Sequence, residues 1–268
     1  MRLGMCKSLE SIEEVRDAGF DYIEPSCGTL NPDKDELEFA PVLKEIEKTN
    51  IPVEAFNGFL PGHLKVTGND INLEQVEQYM NTVISRAQKA GASIIVFGSG
   101  GARKTSTGFP IDKAWSQLAE AARLAAQIAA KHNITIVMEP LCKRACNFFN
   151  RVDQGIDFVD RVNHPNLKLL ADLYHFHDAG EPLENIVKAG KRLAHVHIAT
   201  PALPEPKQGY VYDFLSFFKA LIQAGYDGRI SVEDNNHVIA DKKPPYLAYY
   251  RTICKYLRST LDEAKKVA

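Results

Sequence analysis

Ile134-Thr135-Ile136-Val137-Met138-Glu139 is a run of apolar and β-branched residues that ends on a single acid. Such a run suits a parallel strand buried on both faces. On its N-terminal side, the segment from Asp112 to His132 carries Trp115, Leu118, Ala122, Ala125 and Ala129 at helical spacing, with Asp112 placed to cap it. Before that helix stands a second apolar run, Ile94-Ile95-Val96-Phe97. Run, helix and run make one β–α–β unit, and the unit recurs. Downstream come Leu167-Lys168-Leu169-Leu170-Ala171, Val196-His197-Ile198 and Ile230-Ser231-Val232; upstream stand the weaker Leu3-Gly4-Met5, Tyr22-Ile23 and Val53-Glu54-Ala55-Phe56. Helical segments fill the intervals: Ser8 to Asp17, Asp35 to Thr49, Asn72 to Ala90, Asp153 to Val162, Leu183 to Ala189, Tyr212 to Ala224 and Pro245 to Leu261. Eight β-then-α units in 268 residues predict an α/β chain folded as one (β/α)8 TIM barrel, a single domain over residues 1–268. An open, doubly wound sheet shares the alternation and is the alternative.

Two connections are long for a barrel: Asn57 to Ile71, and Thr200 to Tyr210 with Pro201, Pro204 and Pro206. Long ordered loops on such a scaffold are expected to cover the active face.

Composition sets the class of partner. Hydrophobic residues are 45% and charged residues 25% of the chain, and the formal net charge is -2, so no bulk field draws it to nucleic acid or to a membrane surface. The five cysteines, Cys6, Cys27, Cys142, Cys146 and Cys254, are scattered. The one close pair, Cys142 and Cys146, has C-x₃-C spacing, which fits neither a redox pair nor a zinc knuckle. Reduced thiols, no transmembrane run and an N-terminus without a signal-peptide apolar stretch lead us to expect a cytoplasmic enzyme. A small-molecule substrate is the expected partner, and the oligomeric state stays open, a homo-oligomer included.

The ends of strands five to eight carry one chemical kind of residue. The fifth run ends in Glu139, the sixth in Asp172, the seventh contains His197 and the eighth ends in Glu233. Any one of these alone reads as a helix cap or a surface residue. In a barrel, however, the C-terminal strand ends converge on one face. Three carboxylates gathered there repel one another, and burying them without a cation is costly. Oxygen-rich ligands with one imidazole suit Mn²⁺ first, with Mg²⁺, Co²⁺ or Zn²⁺ as alternatives. His195 lies two residues before His197 and shares its face of the strand. We read it first as a supporting core histidine. His132, His164 and His177 read as ordinary loop or surface residues.

Met138-Glu139-Pro140-Leu141, Ala171-Asp172-Leu173-Tyr174-His175, His195-Val196-His197-Ile198-Ala199 and Ser231-Val232-Glu233 resemble signature segments of the xylose-isomerase-like barrel superfamily. Leu64-Lys65-Val66-Thr67-Gly68 and Phe97-Gly98-Ser99-Gly100-Gly101-Ala102-Arg103 add to the resemblance, which runs through most of the chain. Within the superfamily the similarity is to the sugar phosphate isomerase/epimerase group, which includes ketohexose 3-epimerases, hydroxypyruvate isomerase and inosose dehydratase. The resemblance implies one divalent metal held by Glu139, Asp172, His197 and Glu233. It also implies that Glu139 and Glu233 flank the reacting carbon. One removes the proton next to a carbonyl and the other returns it from the opposite face, through an enediolate. His175 is implied as a substrate contact, and Asn57, Arg103 and His195 complete the set of candidate substrate-binding residues.

Two positions depart from the ketohexose 3-epimerases. Those enzymes carry a second Glu six residues after the metal Glu, where this chain has Ala145, and an Arg six residues after the metal His, where it has Leu203. Lys143, Arg144, Arg103 and Lys207 are the cations that would compensate. The expected activity is therefore a metal-dependent sugar or keto-sugar isomerase or epimerase. A lyase or dehydratase on a keto-sugar or keto-inositol begins with the same proton abstraction. An endonuclease IV-type repair enzyme shares the fold but needs a richer ligand set; strands two and three here offer only Glu24 and Asn57, with His63 in a loop. A non-catalytic sugar-binding barrel is the remaining alternative.

Overall fold

The computed structural model describes residues 1–199, 212–233 and 246–267. Eight parallel strands are β1 (Arg2–Cys6), β2 (Tyr22–Ile23), β3 (Ala55–Phe56), β4 (Ile94–Phe97), β5 (Thr135–Met138), β6 (Leu167–Asp172), β7 (Leu193–Ile198) and β8 (Arg229–Glu233). They are ordered β2-β1-β8-β7-β6-β5-β4-β3. The two ends of this ribbon meet through isolated parallel bridges, Ile23 with Val53 and Ser26 with Asn57. The result is the nearly closed (β/α)8 barrel that the alternation predicts, and the open-sheet alternative is set aside.

Helices cover the outside: α1 (Ile12–Asp17), α2 (Glu36–Glu47), α3 (Leu73–Lys89), α4 (Gly100–Arg103), α5 (Ile111–Ala130), α6 (Val152–Val162), α7 (Leu173–Asp178), α8 (Glu184–Ala189), α9 (Phe214–Gln223) and α10 (Leu247–Val267). Their starts follow ordinary capping chemistry. The Asp35 carboxylate accepts the N–H groups of Leu37 and Glu38, and the Asn72 side chain accepts that of Gln75. One expected cap is displaced: α5 starts at Ile111 with Pro110 at the cap, so Asp112 sits in the first turn. There its charge still favours the positive helix end.

Alternation along the strands divides the side chains. Leu3, Met5, Ile23, Phe56, Ile95, Phe97, Ile136, Met138, Leu169, Ala171, Val196, Ile198, Ile230 and Val232 join the large core between barrel and helices. Ala55, Ile94, Val96, Val137 and Leu170 form a separate small cluster. These have the opposite parity and fill the barrel interior on the side of β3 to β6. On the side of β7, β8, β1 and β2 the inward positions are polar: His195, His197, Ser231 and Glu24 are all wholly buried. Between them Gly4 leaves room for the Tyr22 ring, which a Cβ there would meet at 2.3 Å. The five cysteines are free and buried. Among the described residues, no helix is long and apolar enough to cross a membrane.

Of the two long loops, residues 57–71 are fixed on the turn after β4. The Leu60 N–H donates to Ser99 Oγ at 2.9 Å, the Val66 N–H to the Ala102 carbonyl at 3.1 Å, and Lys65 Nζ to the Gly101 carbonyl at 2.6 Å. The expected loop from Thr200 to Tyr210, with Leu203 and Lys207, lies outside the described residues, as do residues 234–245 between β8 and α10.

Candidate metal centre

Glu139 follows β5, Asp172 closes β6, His197 is the fifth residue of β7 and Glu233 closes β8. Each offers one ligand-type atom, and these atoms lie within 4.8 Å of one another. His197 Nδ1 stands 3.7 Å from Glu139 Oε1 and 3.7 Å from Glu233 Oε2. Strand register explains the convergence: Asp172 pairs with His197, and His197 with Ser231, so these inward side chains stand at neighbouring heights.

The two oxygens of Asp172 do different work. Oδ1 accepts the N–H groups of Tyr174 at 2.6 Å and His175 at 3.2 Å and so caps α7. Oδ2 has no partner among the described residues. Glu139 Oε1 and His197 Nδ1 are likewise buried without a partner among the described residues. Leaving one such atom unsatisfied costs about 1–3 kcal/mol, and here three stand together. Burial, with Glu233 and Glu139 nearby, pushes the Asp172 carboxyl up to about 6 against the pull of His175 and His197. Around a small divalent cation, bonds of about 2.1 Å place ligand atoms roughly 3–4.3 Å apart. The orphaned atoms, their spacing and their acid-rich chemistry all fit such an ion.

Two features hold Glu139. Gly98, at the end of β4, leaves its carboxylate a niche: a Cβ on Gly98 would lie 2.2 Å from Glu139 Oε2. The Arg103 guanidinium donates through Nη1 to the Glu139 carbonyl at 2.9 Å and stands over the Phe149 ring at 5.3 Å. Arg103 is wholly buried, and its Nε and Nη2 have no partner among the described residues. The backbone on either side is unusual. Ser99 has φ 40° and Phe149 has φ 61°, the left-handed region that costs a bulky residue about 1–3 kcal/mol.

A residue the sequence reading left in a secondary role stands behind His197. Glu24, just past β2, is wholly buried and lies 2.9 Å from His197 Nε2 through Oε1 and 2.7 Å from His195 Nε2 through Oε2. Ser231 Oγ donates to the same Oε2 at 2.5 Å, and the Tyr22 hydroxyl stands 2.7 Å from Ser231 Oγ. Burial alone would raise the Glu24 carboxyl, but the two histidines hold it well below the usual carboxylate range. The available signal was parity, since Glu24 shares with Tyr22 the face of the strand that points inward.

The four expected substrate contacts fall in two groups. Asn57 is half-buried at the end of β3. His175 is half-buried beside Asp172, and its Nδ1 accepts the Cys142 N–H at 3.1 Å. Arg103 and His195 have no exposed surface. In this structure they turn to Glu139 and Glu24, and not to the open face of the barrel. Of the proposed compensating cations, Lys143 is exposed, and Arg144 is engaged with the Tyr174 hydroxyl and, at 3.1 Å, with Asp178.

The family model for xylose isomerase-like TIM barrels matches residues 12–260. The chain belongs to that family. Among characterised relatives, the barrel is 36% identical over 123 residues to an L-ribulose 3-epimerase of Methylomonas sp. (strain DH-1), a match covering 44% of this chain and 41% of that protein. The first relatives are thus matched over less than half of their own length. A 3-dehydro-D-guloside 4-epimerase of Escherichia coli (strain K12) is 23% identical over 256 residues, 91% of this chain and 94% of that protein. Among solved structures, the barrel superposes on a D-allulose 3-epimerase from Methylomonas sp. with a TM-score of 0.79 at 22% identity, covering 98% of each chain. The family is the one that the strand-end segments resemble.

Proposed function

We propose that this xylose isomerase-like barrel is a divalent-metal-dependent sugar or keto-sugar isomerase or epimerase, with Mn²⁺ the expected ion, acting in the cytoplasm on a small carbohydrate. The observation that carries the reading is the trio of buried atoms Glu139 Oε1, Asp172 Oδ2 and His197 Nδ1, without partners among the described residues and gathered with Glu233. The relatives support the substrate class. An L-ribulose 3-epimerase and a 3-dehydro-D-guloside 4-epimerase are both named for inverting a carbon next to a ketone.

Glu139, Asp172, His197 and Glu233 would hold the ion. Bound there, it stabilises negative charge developing on the substrate carbonyl oxygen. The remaining chemistry belongs to the chain. Glu139 and Glu233 come from β5 and β8, on either side of His197. One glutamate takes the proton from the carbon next to the carbonyl, leaving an enediolate, and the other returns a proton from the opposite face. Net, one C–H bond breaks and one forms, and the product is an isomer of the substrate. A positioned carboxylate contributes on the order of 10²–10⁴-fold as general base. His175 supports the substrate oxygens. The Cys142 N–H occupies its Nδ1, so the neutral ring carries its proton on Nε2 and can donate.

The test is a screen by NMR in D₂O. Metal-replete protein is incubated with ketoses, keto-inositols and 3-keto-glycosides. Deuterium uptake at one carbon next to a ketone, lost on metal removal, is expected. Turnover of any of these without solvent exchange contradicts the mechanism.

A further inference from the structure

The geometry points to Glu24 as a positioning residue that fixes which nitrogen of His197 faces the metal site, and so sets the affinity of that site. The inference rests on the metal-dependent reading above and deepens it.

Glu24 takes three donors on two oxygens. Ser231 has one hydroxyl proton and spends it on Glu24 Oε2, so Ser231 Oγ receives the Tyr22 O–H. His195 Nε2 reaches the same Oε2 at 2.7 Å. The carboxylate, wholly buried and surrounded by donors, carries no proton of its own. The third partner, His197 Nε2, stands 2.9 Å from Oε1 and must therefore bear a hydrogen. In the neutral ring that binds a cation, Nδ1 is then the nitrogen with the free lone pair. It is also the atom 3.7 Å from both Glu139 Oε1 and Glu233 Oε2, and it has no partner. Among the described residues, the other group near Nε2 is Cys6 Sγ at 4.0 Å, the long limit for a sulfur contact and a weaker partner than the carboxylate. A histidine that ligates through one nitrogen commonly donates its other N–H to a carboxylate, and loss of that partner typically lowers metal affinity 10–100-fold.

Glu24→Gln keeps the shape but replaces one acceptor oxygen by an NH₂ donor. The amide oxygen stays on the side that takes both His195 and Ser231, so His197 faces the NH₂ with its own N–H and must change tautomer or turn. When His197 does so, its Nδ1 carries the proton and cannot bind a cation. Tyr22→Phe serves as the comparison. It disturbs the same buried chain but leaves the carboxylate and its three donors.

The experiment strips the full-length protein with a chelator and titrates Mn²⁺ against a competing indicator. We expect Mn²⁺ affinity to fall 10–100-fold in Glu24→Gln and to stay within about threefold of wild type in Tyr22→Phe. A second readout uses wild-type protein alone. Long-range ¹H–¹⁵N spectra of the Zn²⁺-loaded, ¹⁵N-histidine-labelled chain should show His197 protonated at Nε2 and metal-shifted at Nδ1. Wild-type protein that binds neither ion sinks the functional reading and this inference with it. Wild-type protein that binds, with affinity unchanged in Glu24→Gln or with His197 protonated at Nδ1, overturns the role of Glu24 and leaves the functional reading standing.

Discussion

Gly98 and Glu139 occupy one space: the point where a Cβ of residue 98 would sit is 2.2 Å from Oε2 of the glutamate. The niche orients a carboxylate whose other oxygen, Oε1, faces His197 Nδ1. Gly98→Ala must push the Glu139 carboxylate aside. We expect turnover to fall at least 10-fold and Mn²⁺ affinity to drop with it. Gly28→Ala, whose Cβ would meet nothing nearer than Ser26 Oγ at 3.7 Å, should leave both unchanged. Steady-state kinetics and metal titration on the two variants check this.

Arg103 separates function from stability. A wholly buried guanidinium that donates to the Glu139 carbonyl, with no carboxylate paired to it among the described residues, is costly to bury. Arg103→Met fills similar volume without that cost. The melting temperature should hold or rise, while turnover falls about 10-fold as the Glu139 backbone loses its anchor. A large loss of stability with normal turnover would reassign Arg103 to the core.

Gly155 lets α6 lie close on β6, since a Cβ there would stand 2.3 Å from Leu169 Cδ1. The neighbour is a packed core side chain, so Gly155→Ala overpacks the interface at about 1–3 kcal/mol. Thermal unfolding should show a drop of several degrees. Metal content of the folded fraction should be unchanged, because β6 still ends on Asp172.

His175 is expected to touch the substrate and not the cation. His175→Asn keeps an acceptor near the Cys142 N–H while removing the ring Nε2. Turnover should fall about 10-fold at unchanged metal content, as elemental analysis would show. Loss of the ion in this variant would make His175 a ligand.

The barrel was legible because its strands β4 to β8 are short, mostly apolar runs and α5 keeps its apolar stripe along the helix. The four strand-end residues were legible for a related reason. A polar residue at or next to the end of each of four such runs is carried to the barrel's C-terminal face. Glu24 was harder to read because β2 is two residues long and its run is too brief to establish which face is inward. Short helices escaped too. The helix α4 has four residues, two of them glycine, and α7 has six, started by the Asp172 carboxylate and not by any periodicity. The last helix runs six residues past the expected Leu261, because Ala264 continues the buried stripe through a charged end. Arg103, read from the sequence as a candidate substrate contact, is wholly buried, a depth that a cation beside a glycine-rich turn does not reveal.

Glu139 and Glu233 carry the central claim, and solvent exchange in their glutamine variants tests it most directly. Gln keeps the shape and one candidate ligand oxygen but removes the basic one. Each variant should retain the fold and lose turnover by roughly 10²-fold or more. With both epimers of a substrate in D₂O, Glu139→Gln should still wash the reacting proton out of one epimer and not the other, and Glu233→Gln should show the opposite preference. If both variants exchange protons from both epimers at the wild-type rate, neither glutamate is a base and the account is wrong.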